Sequence, residues 1–150
     1  MKKTLTYGAI IIAIPALTFG YYAISPLFRN IKANDALPTS AQTDTAPAAV
    51  VTGTTGHPAS GTVRIVKSNG ASFVRYENFK TINGPDIYVY LAKDRDAKEF
   101  VSLGQVKATE GNVNYEIPTG TDLSKYHYVL TWCKQFGVLF NYADLGTPTS

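Results

Sequence analysis

The stretch Thr62-Val-Arg-Ile-Val-Lys-Ser-Asn-Gly-Ala-Ser-Phe-Val-Arg-Tyr-Glu-Asn-Phe79 decides the fold. At its centre, Asn69-Gly70 is a strong hairpin signal, because both residues accept the positive φ that a tight two-residue turn requires. The run before it, Thr62–Lys67, alternates in part between apolar and polar, and Phe73–Phe79 supplies the partner strand. The same texture continues outward. Asn83-Gly-Pro-Asp86 marks a turn ahead of a strand over Asp86–Ala92, and shorter strands are expected over 100–106 and 112–117, set off by Gly104, Gly111 and Pro118. Two strong strands close the domain, Tyr126–Cys133 and Val138–Tyr142, joined around Gly137. About seven short strands with frequent turns, and no sustained 3.6-residue period, predict an all-β domain over residues 56–146. Its architecture is an antiparallel β-sandwich or barrel. The ten tyrosines supply much of the bulk of its core.

Two accessory segments precede this domain. Lys2 and Lys3 lead into the uncharged run Thr4–Phe28, centred on Ile10, Ile11, Ile12, Ile14, Leu17 and Phe19. About 20 helical residues suffice to cross the hydrocarbon core, so residues 1–29 are expected to form an N-terminal transmembrane helix. A cleaved signal peptide is the competing reading, with Thr18-Phe-Gly20 as a weak cleavage site. Residues 30–55 are rich in Ala, Thr, Pro and Ser and carry no aromatic ring, which predicts a flexible linker. The expected location is therefore the cell membrane, single-pass, with the β domain facing outside the cytoplasm.

The net charge of +3 is misleading if taken whole. Lys2, Lys3, Arg29 and Lys32 flank the apolar run, and from His57 onward 10 Lys and Arg meet 9 Asp and Glu. A nearly neutral domain without a basic block gives nucleic acid nothing to bind.

Cys133 is the only cysteine and follows the only tryptophan, Trp132. Exported domains usually bond their cysteines in pairs. A lone one is an inert buried thiol, half of an intermolecular disulfide, or a reactive or ligating sulfur. Alternation along the strand puts Tyr126, Tyr128, Leu130 and Trp132 on one face and His127, Val129, Thr131 and Cys133 on the other. His127 and Cys133 then lie roughly 20 Å apart at about 3.3 Å per residue, too far to share a metal. Blue copper is disfavoured, since no histidine follows Cys133 and Met1 is the only methionine. No metal site is expected.

His57, in Gly56-His-Pro-Ala-Ser-Gly61, is either an exposed turn residue or a second ligand or cationic neighbour for Cys133. Ser60 lacks the G-x-S-x-G context of a hydrolase. Asp94, Asp96 and Glu99 interleave with Lys93, Arg95 and Lys98, as a solvated loop does. Tyr88 and Tyr90 share a strand face and read as core packing.

Four segments resemble the DM-thirteen domain, an extracellular module often found beside DOMON domains. They are Gly56-His-x-Ala-Ser-Gly61, Val74-Arg-Tyr-Glu-Asn-Phe-Lys-Thr-Ile-Asn-Gly-Pro-Asp-Ile-Tyr-Val-Tyr-Leu91, Gly111-Asn-Val-Asn-Tyr-Glu-Ile-Pro118 and Val129-x-x-Trp-Cys-x-x-Phe-x-Val-x-Phe140. The resemblance covers about Gly56 to Leu145. It implies a β-rich domain acting in electron transfer. In it the hallmark cysteine corresponds to Cys133, working as a bare thiol or as a ligand of a prosthetic group such as haem. Trp132 packs beside that sulfur in this expectation. The electron donor or acceptor is an unidentified redox partner protein. The rival function is a non-catalytic ligand-binding or adhesion module that presents loops and aromatic residues.

Overall fold

The computed structural model describes residues 14–15, 17–22, 25, 30–39, 42–43 and 48–146. Among these described residues, eleven strands run in chain order: β1 Lys32–Asn34, β2 Gln42–Thr43, β3 Ala49–Val50, β4 Thr52–Gly53, β5 Ala59–Ser68, β6 Ala71–Thr81, β7 Ile87–Ala92, β8 Phe100–Gln105, β9 Glu110–Ile117, β10 Tyr128–Cys133 and β11 Val138–Asp144. They form two open sheets, ordered β1-β9-β6-β5-β2, with β3 also on β5, and β4-β11-β10-β7-β8. The architecture is a sandwich, and neither sheet closes into a barrel. Every pairing is antiparallel except β1 with β9.

The expected transmembrane helix is corrected. Among the described residues no helix is long and apolar enough to cross a membrane. Residues 17–22 are helical, and the rest of the expected span, residues 1–13, 16, 23–24 and 26–29, lies outside the described residues. The apolar composition of Thr4–Phe28 was the whole basis of that expectation. Within residues 30–55 the structure places β1, β2, β3 and β4.

The β5–β6 hairpin turns at Asn69 (φ 48°) and Gly70 (φ 79°), as the residue pair dictates. Near its other end, the register shifts between Ser60 and Thr62 on β5 and between Tyr76 and Phe79 on β6. Gly61, at φ 113°, makes this possible. A Cβ there would come within 2.8 Å of the backbone of Glu77, Asn78 and Phe79. Gly111, at φ 115°, serves β1 in the same way, because a Cβ on it would collide with the Ala33 carbonyl.

Between the sheets, Val63, Val74, Tyr76, Val113 and Tyr115 meet Val89, Leu91, Val129 and Ala143 in one buried cluster. Each fully buried aliphatic side chain of this kind contributes about 1.5–3 kcal/mol. The two layers are also joined by a buried polar contact, the Asn141 amide donating to the Thr81 hydroxyl at 3.0 Å. The outer face of the first sheet is ionic. Arg75 donates to Glu77 at 3.0 Å, to Asn114 at 2.8 Å and to the carbonyls of Asp35 and Ala36, which ties residues 35–36 across the sheet.

Candidate functional site

β10 alternates as its sequence requires. Val129, Thr131 and Cys133 are buried on the core face, and Tyr128, Leu130 and Trp132 face the other way. Cys133 ends the strand, opposite Ile87 of β7 and Val138 of β11. Its side chain is 0% exposed and belongs to a small cluster with Ile87 and Phe140, against which Ile82 and Val106 pack. The thiol is free.

Trp132 sits in a different cluster, with Tyr88, Tyr90, Tyr128, Leu130, Leu139 and Tyr142 on the outer face of the second sheet. Neighbours in a strand point to opposite faces, so adjacency in sequence separates Trp132 from Cys133 rather than packing them together. A register shift between Thr131 and Trp132 sets Leu139, not Phe140, opposite Trp132 and leaves Phe140 for the cysteine's cluster.

His57 reaches the same end of the sandwich. Its ring stacks on Phe140 with centroids 4.0 Å apart, so His57 and Cys133 share Phe140 as a neighbour. The Thr54 hydroxyl donates its single proton to the Leu139 carbonyl at 2.7 Å. The same hydroxyl lies 3.0 Å from the Phe140 carbonyl and 3.2 Å from His57 Nδ1. His127 lies just before the opposite end of β10, its ring against Tyr128.

Two buried hydroxyls stand near this strand without a hydrogen-bond partner, those of Tyr76 and Thr131. The phenol feels the Thr131 hydroxyl, yet neither group is aligned for a hydrogen bond. Burial pushes the Tyr76 phenol far above its ordinary value, with the nearby Tyr115 adding to the effect. Burial also raises Tyr115, to about 12, although the Lys107 amide donates to its oxygen at 2.9 Å.

Ser60 is exposed, directly across from Lys80 on β6. Asp94 and Asp96 are engaged with their own loop, Asp94 accepting the amides of Asp96 and Lys98 and Asp96 pairing with Lys98 at 3.4 Å, while Glu99 pairs with Lys125 and, at 3.9 Å, with Lys93. No group of three or more His, Cys, Asp or Glu among the described residues is arranged to hold a metal ion.

One feature had no signal in the sequence. A pocket of about 370 Å³ opens at the end of the β5–β6 pair, with Ile82 in its lining. Ile82 also packs on the Cys133 cluster, so a single side chain separates the pocket from the neighbourhood of the sulfur. The contact joins chain segments remote in sequence, Ile82 just past β6 and Cys133 at the end of β10.

Residues 51–145 match the family described as Electron transfer DM13. The chain belongs to the DM13 family. No curated protein and no solved structure matches it. The match begins at Val51, just before β4, and ends after β11, so it takes in β4 to β11 and leaves β1, β2 and β3 of the first sheet outside. In this DM13 domain the family's electron-transfer description meets one fully buried sulfur. Axial ligation of haem by Cys133 needs an open approach to that sulfur, and Ile87, Phe140, Ile82 and Val106 close it. The residues present do not fit a macrocycle at this position.

Proposed function

We propose that this DM13 domain is an electron-transfer module working outside the cytoplasm, with the Cys133 thiol as its redox group and a separate protein as its redox partner. The observation that carries the reading is the position of Cys133. The only sulfur of the matched region ends β10 beside the His57–Phe140 stack, one side chain from a pocket.

Because the sequence has no second cysteine, a disulfide at this sulfur must be formed with another molecule. The balanced step is thiol–disulfide exchange. The Cys133 thiolate attacks one sulfur of a partner disulfide, forms a mixed disulfide and releases the other partner sulfur as a thiolate; a second thiolate then regenerates Cys133. Reactive cysteines are usually partly exposed, whereas this one is fully covered. Exchange therefore proceeds through local opening at the Ile82–Phe140 end, and its rate follows the free energy of that opening.

The test is incubation of the folded protein with glutathione disulfide. One mixed disulfide per chain, absent in Cys133→Ser, supports the reading. An unmodified folded protein defeats it.

A second reading rests on a separate observation. The outer face of the second sheet is aromatic, with Arg95 over the Tyr142 ring at 4.9 Å and Lys134 over the Tyr88 ring at 5.3 Å. Such a face suits a ligand-binding or adhesion module. Trp132→Ala separates the two: it abolishes binding under the second reading and leaves thiol exchange intact under the first.

A further inference from the structure

The pocket at the end of β5 and β6 has a consistent chemistry. Its apolar wall includes Pro58 and Ile82, and its polar lining comes from Asn30, Ser60, Lys80 and Thr81. Among the described residues no carboxylate lines it. Each of the four polar side chains can donate a hydrogen bond. Thr81 is buried and accepts the Asn141 amide between the two sheets, so the exposed donors of the lining are Asn30, Ser60 and Lys80. Lys80 is the cation of the group. The acid across from it on β9, Glu110, is engaged by Lys32 at 3.1 Å. Ser60 stands directly opposite Lys80 on the neighbouring strand, so the two heads lie on one face of the sheet.

An apolar wall edged by donors and one ammonium selects a ligand with an apolar body and acceptor oxygens carrying negative charge. We propose that this pocket is a binding site for a small carboxylate with an apolar ring or chain, its carboxylate held by Lys80 and Ser60 and its body laid on Pro58 and Ile82. The site is independent of what the sulfur does, although Ile82 places the ligand's apolar end beside the Cys133 cluster.

Benzoate and benzyl alcohol, titrated separately into the full chain and followed by amide chemical shifts, test this directly. Benzoate is expected to perturb the amides of Ser60, Lys80 and Ile82 saturably, and benzyl alcohol to bind the same residues more weakly. Lys80→Gln should weaken benzoate about two- to fivefold, the size expected for a partly exposed ion pair, and leave benzyl alcohol unchanged. Ser60→Trp, at an exposed rim position, should fill the mouth and weaken both more than tenfold while leaving the amide spectrum of the rest of the domain dispersed as in the parent. Cys133→Ser should bind benzoate as the parent does, so failure of the redox reading leaves the site standing. Absence of saturable shifts, shifts centred elsewhere, or equal benzoate affinity in Lys80→Gln would overturn the proposal.

Discussion

The two faces of β10 carry the two functional readings, and they differ in how they are finished. The inward face is sealed by the opposing sheet over Val129 and by Ile82, Ile87, Val106 and Phe140 over Cys133, and it leaves the Thr131 hydroxyl unpaired within it. The outward face, Tyr128, Leu130 and Trp132, has no second layer among the described strands; the aromatic side chains of its own sheet cover it. Leu130 is nevertheless 0% exposed. A strand face can thus be dry without facing the interior, provided that large rings fold over it. The difference also separates chemistry from contact: the inward face holds the only cysteine, and the outward one belongs to a cluster of half-exposed rings with cations above them.

If the outward cluster is a second small core, Leu130→Ala should be the costliest of the conservative changes on this strand, losing about 2–5 kcal/mol in denaturant unfolding. A loss below about 1 kcal/mol would mean that the rings merely lie on a solvated surface. On the inward face, Cys133→Ser places a hydroxyl among Ile87, Phe140 and Val106, with an expected loss of about 1–3 kcal/mol. A neutral Cys133→Ser would show that water already reaches the site.

Acid should leave both faces of β10 intact while loosening the first sheet. Partial burial alone would raise the Glu77 carboxyl, but hydrogen bonds from Arg64 and Arg75 outweigh it and hold the group below its ordinary value. A depressed carboxyl contributes stability that is present above its unfolded value of 4.5 and lost as pH falls through the folded one. Stability should therefore decline below about pH 4.5, and Glu77→Gln should flatten that limb of the curve. The smallest expected effect is Thr131→Val, which removes an unpaired buried hydroxyl at nearly constant shape. It should be neutral or stabilising by up to about 1 kcal/mol, and a clear loss would reveal a hydrogen bond to Tyr76.

These contrasts show which parts of the molecule were legible in the sequence. Asn69-Gly70 placed the central hairpin, and period-2 alternation sorted β10 into its two faces. β7 hid its packing, because the inward Val89 and Leu91 and the outward Tyr90 and Ala92 are all buried and no alternation shows. β1 escaped because its pairing is carried by backbone groups. Its docking rests on Gly111, where the missing Cβ admits the Ala33 carbonyl, and on Arg75, which grips the carbonyls of Asp35 and Ala36. The free thiol at Cys133 was visible as a lone cysteine, but its cover was not. Phe140 is turned toward it by a one-residue shift in β11, and Ile82 follows the end of β6 with no periodic signal. His57 stood out by residue type, and its stacking on Phe140 depends on strand pairing between β4 and β11 that residue pattern does not encode.

The account turns on whether the covered sulfur works. The direct measurement is the rate of mixed-disulfide formation with glutathione disulfide at neutral pH, read by intact-mass spectrometry on the folded chain and on the same chain in urea. The account predicts that the folded chain forms one adduct per molecule, absent in Cys133→Ser, and that Ile82→Ala accelerates it by opening the pocket side. Modification only in urea, with the folded chain and Ile82→Ala both inert, would make Cys133 a core residue and leave the aromatic face of β10 as the functional one.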